Sequence, residues 1–434
     1  MSAVPPDELA APARLLNDPH RLESDSGFVV TTGIECSAPV ISGGIRQDEL
    51  HLTGHWDRVE EDAAIVAGYG IRHLRYGIPF HVVAADARQL DWTWTDRALD
   101  ALQRAGIEPI ADLLHFGLPD DLWGFGDPRL LGRYLPFVEA FAVRYPWVRR
   151  YTPVNEPLIS ARFSALDGLW NERRRDEASF VAALSNAVEC AIDGMAVVRS
   201  RVEDPVFLQS DACESFVPAD LRDPVAVERA DDLNARRFVG WDLAYGRAPR
   251  PRVRDWLLAN GLEEWRLLRF EADGSAEGCI VGLDYYPGNE RVIAGDGTIR
   301  ELGDGERRGF AAVAREHHDH LGLPFMLAET NASGDRAPGW LAATWNDSLA
   351  LFDEGLPIRG YCWYSLTDQV DWDTALSVAA GTVNPLGLVD LDRRERPVGR
   401  AYGSLSRAAD AGRLRAMTPP VPRLSSADDR REVA

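Results

Sequence analysis

Short apolar runs alternate with longer amphipathic segments through most of the chain. Runs rich in Val, Ile, Leu and Phe predict strands, whereas apolar residues three and four positions apart predict helices. The pattern predicts eight strands, and a helical segment follows each of them. The predicted strands are 28–36, 71–76, 107–116, 150–155, 205–211, 280–286, 325–330 and 358–366. The predicted helices are 56–70, 95–105, 130–145, 177–201, much of 217–270, 306–321, 340–354 and 397–411.

Eight strand–helix units in one chain predict an α/β protein built as a single (β/α)₈ barrel. Residues 1–26 are rich in Pro and Asp and predict an N-terminal arm. Residues 27–415 form the predicted barrel. Residues 416–434, rich in Ser, Asp and Arg, predict a disordered tail.

Glu156 stands out within the sequence Y-T-P-V-N-E-P at 151–157. A proline disfavours helical angles in the residue before it, so we expect Glu156 to be extended and to project from a strand end. The alternative is a strand-terminal glutamate that caps the next helix.

A second apolar run, P-F-M-L-A-E-T at 324–330, ends on Glu329. Barrel enzymes collect their chemistry at the carboxyl ends of their strands. Two carboxylates there match the layout that glycoside hydrolysis requires, in which one protonates the leaving oxygen and the other attacks or activates water.

The strand ends resemble glycoside hydrolase family 1, the β-glucosidase-like family of clan A. Six motifs in order carry this resemblance over nearly the whole chain. They are L-L-H-F-G-L-P-D-D-L at 113–122, V-N-E-P at 154–157, V-G-L-D-Y-Y at 281–286, A-E-T-N at 328–331, G-Y-C-W-Y-S-L-T-D-Q-V-D-W at 360–372 and G-L-V-D-L-D at 387–392.

The resemblance implies a retaining β-glycosidase that hydrolyses a terminal β-linked sugar through a covalent glycosyl-enzyme. It implies that Glu156 is the acid/base and Glu329 the nucleophile, with carboxyl groups about 5–5.5 Å apart. Asn155 is expected to contact the sugar 2-hydroxyl, and His115 the 3-hydroxyl.

Two further residues are expected to support the nucleophile. The resemblance places Arg75 beside Glu329, where a cation would keep the carboxylate ionised. It also implies that Tyr286 donates a hydrogen bond to the same carboxylate.

Four positions where the sugar-binding set is expected differ from the family pattern. The family's strand-one Gln has no counterpart, and Glu35 is the polar residue nearby. Glu35 has two open interpretations, sugar binding and a buried pair with an arginine. Asp284 replaces the Asn before the tyrosine pair, and Tyr364 replaces the Trp before the serine of strand eight, with Trp363 one position earlier. Asp371 replaces the sugar-binding Glu. These changes predict a divergent subgroup with an altered sugar pocket.

The composition excludes several other kinds of chemistry and makes some partners improbable. The chain has 47 basic and 68 acidic residues and no lysine, which excludes Schiff-base and P-loop lysine chemistry and disfavours nucleic acid or an anionic membrane as partner. No apolar run reaches a membrane span, and the start lacks a secretory signal, so the cytoplasm is expected. We expect no cofactor and no metal; H-H-D-H at 317–320 is interpreted as a solvated helix end.

The expected partner is a small-molecule or oligosaccharide β-glycoside, and a homo-oligomer stays open. Three alternatives to hydrolysis remain. A transglycosidase would share the first half-reaction, and a tailoring enzyme would act on a glycosylated metabolite. A non-catalytic sugar-binding barrel belongs to another class, but it has no need for this set of catalytic residues.

Overall fold

The structure, a computed structural model, describes residues 27–414 and residue 417. Eight parallel strands form a closed barrel. They are β1 (Val29–Gly33), β2 (His73–Gly77), β3 (Glu108–Asp112), β4 (Arg150–Thr152), β5 (Val206–Ala212), β6 (Cys279–Asp284), β7 (Phe325–Glu329) and β8 (Ile358–Trp363). The strands are adjacent in chain order, and β1 closes the ring on β8. This confirms the predicted (β/α)₈ fold.

Helices cover the outside of the barrel. They are α1 (Glu49–Leu52), α2 (His55–Gly68), α3 (Phe80–Val83), α4 (Thr93–Arg104), α5 (Leu130–Arg144), α6 (Pro157–Ala161), α7 (Glu177–Arg201), α8 (Pro224–Arg236), α9 (Val239–Ala244), α10 (Pro251–Ala259), α11 (Glu264–Asp273), α12 (Phe310–Leu321), α13 (Ala337–Asp353) and α14 (Pro397–Asp410). The predicted arm at 1–26 lies outside the described residues, as does the predicted tail at 416–434 except Met417.

The core has two layers because a parallel barrel is apolar on both of its faces. A cluster of buried residues on or just after six different strands fills the barrel interior: Val29, Ile110, Val206, Leu208, Ile280, Met326, Ala328, Cys362 and Tyr364. A larger cluster lies between the strands and the helices. The interior cluster forms a packed floor, so the chemistry lies above it at the carboxyl ends of the strands.

Several strands end earlier than the apolar pattern predicts. β3 ends at Asp112 and not at Phe116, and β8 ends at Trp363 and not at Leu366. The residues beyond these ends are buried by the loops at the rim of the barrel, so the apolar pattern continues although the strand has ended.

A small sheet above the barrel is not predicted by the pattern. Its strands are Ser215–Pro218, Glu290–Ile293 and Ile299–Glu301. The first pairs in parallel with the second, and the second pairs antiparallel with the third. This sheet extends the chain beyond β5 and β6 over one side of the barrel mouth.

Helix α7 is long and apolar enough to cross a membrane by length and composition alone. The expectation that no segment approaches that length is therefore wrong. However, 67% of its most apolar stretch is buried inside the fold, mainly against α5 and the short α6. The apolar character of α7 is explained by its place in the core.

The histidines at the end of α12 are not a solvated helix end, contrary to the prediction. His317 is buried, and its Nδ1 lies 2.9 Å from the carbonyl oxygen of Val313. His320 lies 2.9 Å from the carboxylate of Asp242. Across residues 27–414 and 417, no three His, Cys, Asp or Glu side chains come together as a metal-binding group.

Candidate active site

A cavity of about 340 Å³ opens at the carboxyl ends of the strands. Six of the residues singled out from the sequence line it: Glu35, His115, Glu156, Tyr286, Glu329 and Tyr364. Five others do not reach its wall: Arg75, Asn155, Asp284, Trp363 and Asp371. Both predicted catalytic glutamates therefore face one space.

Glu329 is the last residue of β7, and its carboxylate has two strong partners. Arg75, on β2, donates from Nη1 to Oε1 of Glu329. The hydroxyl of Tyr286 donates to Oε2 at 2.7 Å. Burial disfavours the charged form of Arg75, but Glu329 and nearby aspartates outweigh it and raise the pKa of Arg75 well above its usual value. The guanidinium therefore stays charged and pairs with the Glu329 carboxylate.

Glu156 is not extended, contrary to the prediction. β4 ends at Thr152, four positions earlier, and Glu156 has φ 42° and ψ 66°, in the left-handed region. Its backbone N–H donates to the carbonyl of Ser210 at 3.0 Å, and its carbonyl accepts the N–H of Ser160 at 2.8 Å. These contacts outweigh the preference that Pro157 imposes on the residue before it.

The Glu156 side chain does not cap α6, although the residue occupies the N-cap position. Asp211, at the end of β5, supplies the acceptor for the backbone N–H of Leu158 at 2.9 Å. The carboxyl group of Glu156 accepts no hydrogen bond from the described part of the chain, and it faces the cavity. The alternative of a helix-capping glutamate is therefore excluded.

The electrostatic surroundings of Glu156 differ from those of Glu329. Burial raises the pKa of Glu156 well above its usual value, and the carboxylates of Glu329 and Asp211 raise it further. The charges of His115 and Arg75 lower it by less. The cavity thus holds one carboxyl group that favours its proton and one carboxylate held by a cation.

His115 and Asn155 form one hydrogen-bonded chain. His115 Nδ1 lies 2.8 Å from Asp112 Oδ2, and its Nε2 lies 3.3 Å from the amide nitrogen of Asn155. The amide oxygen of Asn155 accepts from Arg75 at 2.7 Å and from Ser210 at 2.8 Å. Asn155 therefore lies behind the cavity wall. It orients Arg75 and also His115, which faces the cavity.

Strand eight contributes Tyr364 to the wall and Trp363 to the core. The ring of Tyr364 stacks parallel to His115 with centroids 6.1 Å apart, and its hydroxyl donates to the carbonyl of Ile34 at 3.0 Å. Trp363 is fully buried and donates to the carbonyl of Leu386 at 3.0 Å. The expected sugar contact of Trp363 is therefore absent, because successive side chains of a strand point to opposite faces.

Asp284 does not line the cavity, contrary to the prediction. It is fully buried, and neither carboxylate oxygen has a hydrogen-bond partner among the described residues. Burial raises the pKa of Asp284 well above its usual value, as does the neighbouring Glu329, against a smaller effect of Arg75 at 3.9 Å. Asp284 thus belongs to the layer that surrounds Arg75.

Asp371 also differs from its expected sugar-binding position. Its carboxylate accepts the backbone N–H groups of Ala380, Gly381 and Thr382 at 2.7–3.0 Å and the side-chain amide of Gln47 at 3.1 Å. These bonds use both oxygens to hold the loop 380–382. The carboxylate is therefore structural in this conformation.

Glu35 lines the cavity and is 1% exposed. The open alternative of a pair with an arginine is not seen. Oε1 of Glu35 accepts the backbone N–H of Ser37 at 2.9 Å, and its other oxygen has no hydrogen-bond partner within the described ranges. Burial raises the pKa of Glu35, and His115 opposes this.

Sequence reasoning misses an ionic cluster on another side of the cavity. Glu214, two residues after β5, lies between Arg162 and Arg291. Arg162 begins a turn of π-helix after α6, and Arg291 lies in the small sheet. A polar residue just past a strand end is a signal that identifies Glu214, but neither arginine has such a signal.

No family model matches the chain. β-Glucosidase A of Thermotoga maritima is 21% identical over 377 residues, which cover 76% of this chain and 81% of that protein. An aryl-phospho-β-D-glucosidase of Bacillus subtilis is 24% identical over 300 residues, which cover 63% of this chain and 57% of that protein. The structure of a Thermotoga maritima β-glucosidase with glucoimidazole superposes with a TM-score of 0.75 at 16% identity, covering 90% of this chain and all of that chain.

A (β/α)₈ barrel with two glutamates from different strands facing one cavity is the architecture of a glycoside hydrolase. The low identities show how far this chain lies from its relatives. The chain has the (β/α)₈ fold of a solved β-glucosidase and is similar in sequence to β-glucosidase A of Thermotoga maritima over 76% of its length.

Proposed function

We propose that the protein is a retaining β-glycosidase that releases a terminal β-linked sugar, with Glu329 as nucleophile and Glu156 as acid/base. The opposite surroundings of these two groups are the observation that carries the proposal. Glu329 is held by Arg75 and Tyr286, whereas Glu156 has a raised pKa and a carboxyl group free of hydrogen bonds from the described residues. One base and one acid at neutral pH are what the reaction needs.

In the first half-reaction the Glu329 carboxylate attacks the anomeric carbon. The bond from that carbon to the glycosidic oxygen breaks, and Glu156 transfers its proton to this oxygen, so the aglycone leaves as an alcohol. The products on the enzyme are a glycosyl ester of Glu329 and an ionised Glu156.

In the second half-reaction Glu156 acts as a base. It removes a proton from a water molecule, whose oxygen attacks the anomeric carbon and displaces Glu329 as a carboxylate. Two inversions restore the β configuration, and both glutamates return to their initial protonation states.

The relatives support a sugar as ligand. Similar proteins include β-glucosidase A of Thermotoga maritima, and the similar solved structures hold glucoimidazole, deoxynojirimycin and castanospermine. A glucose-like glycone is therefore the first substrate to test.

The test is release of nitrophenol from a panel of aryl β-glycosides, with the product anomer followed by NMR. Initial formation of the β-anomer supports the proposal, and initial formation of the α-anomer overturns the covalent mechanism. A crystal structure with a bound glycone analogue gives an independent check, since retention requires carboxyl groups about 5–5.5 Å apart and inversion about 6.5–9.5 Å.

A second candidate is a transglycosidase or a tailoring enzyme that acts on a glycosylated metabolite. The use of Asp371 to hold a loop, in place of a sugar contact, favours a glycone pocket unlike that of the family. Addition of acceptor alcohols to the assay separates the two, because a transglycosidase forms the new glycoside in preference to free sugar. Binding of glycosides without any turnover would instead support a sugar-binding barrel.

A further inference from the structure

The cluster of Arg162, Glu214 and Arg291 lies on the part of the cavity wall that β4, β5 and β6 lead into. Glu156 comes from the loop after β4 and donates its proton to the leaving group in the proposed reaction. Arg162 follows it by six positions and interacts electrostatically with it. The cluster is therefore on the leaving-group side of the cavity.

The cluster has more positive than negative charge. Glu214 is 2% exposed, and its two oxygens lie 2.9 Å from Nη1 of Arg162. Nη1 of Arg291 lies 3.2 Å from the same carboxylate. Burial opposes ionisation, but the arginines outweigh it and lower the pKa of Glu214. One buried anion thus neutralises one of two guanidinium groups.

Two other acidic groups near the arginines, Asp167 and Glu301, are exposed to water, which weakens their effect on the guanidinium charges. Asp167 lies 3.7 Å from Nε of Arg162, but its side chain is 42% exposed. Arg237 donates to the carbonyl of Glu214 and to the carboxylate of Glu316, so its own positive charge is paired with Glu316. Glu301 also lines the cavity, but it is exposed, so water screens its charge.

Both arginines keep donors for a ligand. Nη2 of Arg162 and Nη2 of Arg291 make no hydrogen bond to any residue that the structure describes, and both side chains line the cavity. Nε of Arg291 is fixed by the carbonyl of Gly288 at 3.0 Å, and the ring of Phe163 lies 5.3 Å from the Arg162 guanidinium. The arginines are thus partly immobilised, with free N–H groups.

We infer that the leaving-group site takes an aglycone that carries a carboxylate, held by Arg162 and Arg291. This rests on the proposed function, because it assumes that the cavity binds a glycoside. Guanidinium groups match a carboxylate in geometry as well as charge. Glu156 is protonated when it acts as the acid, so it does not repel such a group at that stage.

The experiment compares 4-carboxyphenyl β-D-glucoside with 4-carbamoylphenyl β-D-glucoside, which has nearly the same shape and no charge. The ratio of their kcat/KM values is measured in the native protein and in Arg291→Gln. Differences in leaving-group chemistry cancel in this comparison. The ratio of kcat/KM for the carboxylate substrate to kcat/KM for the amide substrate should be at least about tenfold higher in the native protein than in the variant. The preference should shrink when NaCl is raised, because both arginines are partly exposed.

Arg300→Gln is the matched control. Arg300 lies on the neighbouring strand Ile299–Glu301, is exposed and pairs with Glu306 at 2.8 Å. This variant should keep the ratio of the native protein. Arg162→Gln is a second variant and should lose the preference in the same way.

Direct binding separates this inference from the proposed function. Calorimetry with the Glu329→Gln variant measures the affinity of both glucosides without turnover. Tighter binding of the carboxylate, lost in the additional Arg291→Gln variant, supports the arginine site even if the native protein hydrolyses neither compound. Equal binding of both, or an unchanged kcat/KM ratio in both arginine variants, overturns it.

Discussion

Asp211 accepts the backbone N–H of Leu158 at 2.9 Å, so the first turn of α6 is capped from a different strand of the barrel. This contact leaves the carboxyl group of Glu156 free at the N-terminus of the same helix. Burial raises the pKa of Asp211 to about 7, and its charge in turn raises the pKa of Glu156.

Asp211→Asn should therefore shift the alkaline limb of the activity profile to lower pH. The amide oxygen accepts only one of the two N–H groups that Asp211 holds, those of Leu158 and Ala212, and the amide removes the negative charge that keeps the proton on Glu156. The shift is measured in the dependence of kcat/KM on pH. Asp220→Asn, at an exposed position, should leave the profile unchanged. An unaltered profile in a folded Asp211→Asn protein would contradict the electrostatic coupling.

Glu156→Gln should flatten the alkaline limb, because the group whose deprotonation causes it is gone. Glycosides with poor leaving groups should slow by roughly a hundredfold or more, and activated aryl glycosides much less in the glycosylation step. Pre-steady-state release of the aryl group measures that step. Equal slowing of activated and unactivated substrates would show that Glu156 is not the acid.

Glu329→Gly should abolish turnover of natural glycosides because no nucleophile remains. Azide should restore activity only by direct attack, so any glycosyl azide formed has inverted configuration. NMR of the product identifies the configuration. Full activity, or an azide product of retained configuration, would sink the assignment of Glu329.

Asp284→Asn should stabilise the protein at neutral and alkaline pH. The pKa of Asp284 is raised in the folded state above its unfolded value of about 4, so its contribution to stability is present below that value and is lost as pH rises through the folded pKa. The amide carries no charge and escapes this loss. We expect a gain of about 1–3 kcal/mol at pH 8, measured by urea unfolding. Asp335→Asn, at an exposed site, serves as the control. If the native protein and Asp284→Asn lost stability equally as pH rises, the argument would be wrong.

His317 should make the protein sensitive to mild acid. Burial lowers the pKa of His317 to about 3, whereas the unfolded value is about 6.5. Its contribution is therefore present above pH 6.5 and is lost as pH falls toward 3. By pH 5 the loss is about 2 kcal/mol. Between pH 7 and pH 5, the free energy of unfolding of His317→Gln, measured by urea unfolding, should fall by about that much less than in the native protein. His51→Gln, at an exposed position, should behave like the native protein.

The sequence predicts the fold and Glu329 for the same physical reason. Each barrel strand is buried on both faces and therefore appears as an apolar run, and Glu329 is the residue on which such a run ends. The conformation of Glu156 is harder to predict. Its left-handed backbone depends on the carbonyl of Ser210, 54 positions away, and a rule about the residue before a proline does not include that contact.

Long-range contacts also explain the sugar-binding positions that differ. Asp371 holds a loop together with Gln47, which lies 324 positions away. Asp284 lies behind Glu329 because β6 and β7 pair these two residues side by side. Arg162 and Arg291 both contact Glu214 because the small sheet brings Arg291 to the cavity. This sheet has no clear apolar pattern in the sequence.

The wall of the cavity is divided between two arcs of the barrel. Glu35, His115 and Tyr364 follow β1, β3 and β8, whereas Arg162 and Glu214 follow β4 and β5. Among the described residues, the side-chain bonds of Arg162 and Glu214 join them to each other, to Asp167 and to Arg291, and none of these bonds reaches Glu35, His115 or Tyr364. A lineage built on this barrel can therefore exchange one arc by mutation while it inherits the other intact, so preference for the sugar and preference for its partner can evolve separately.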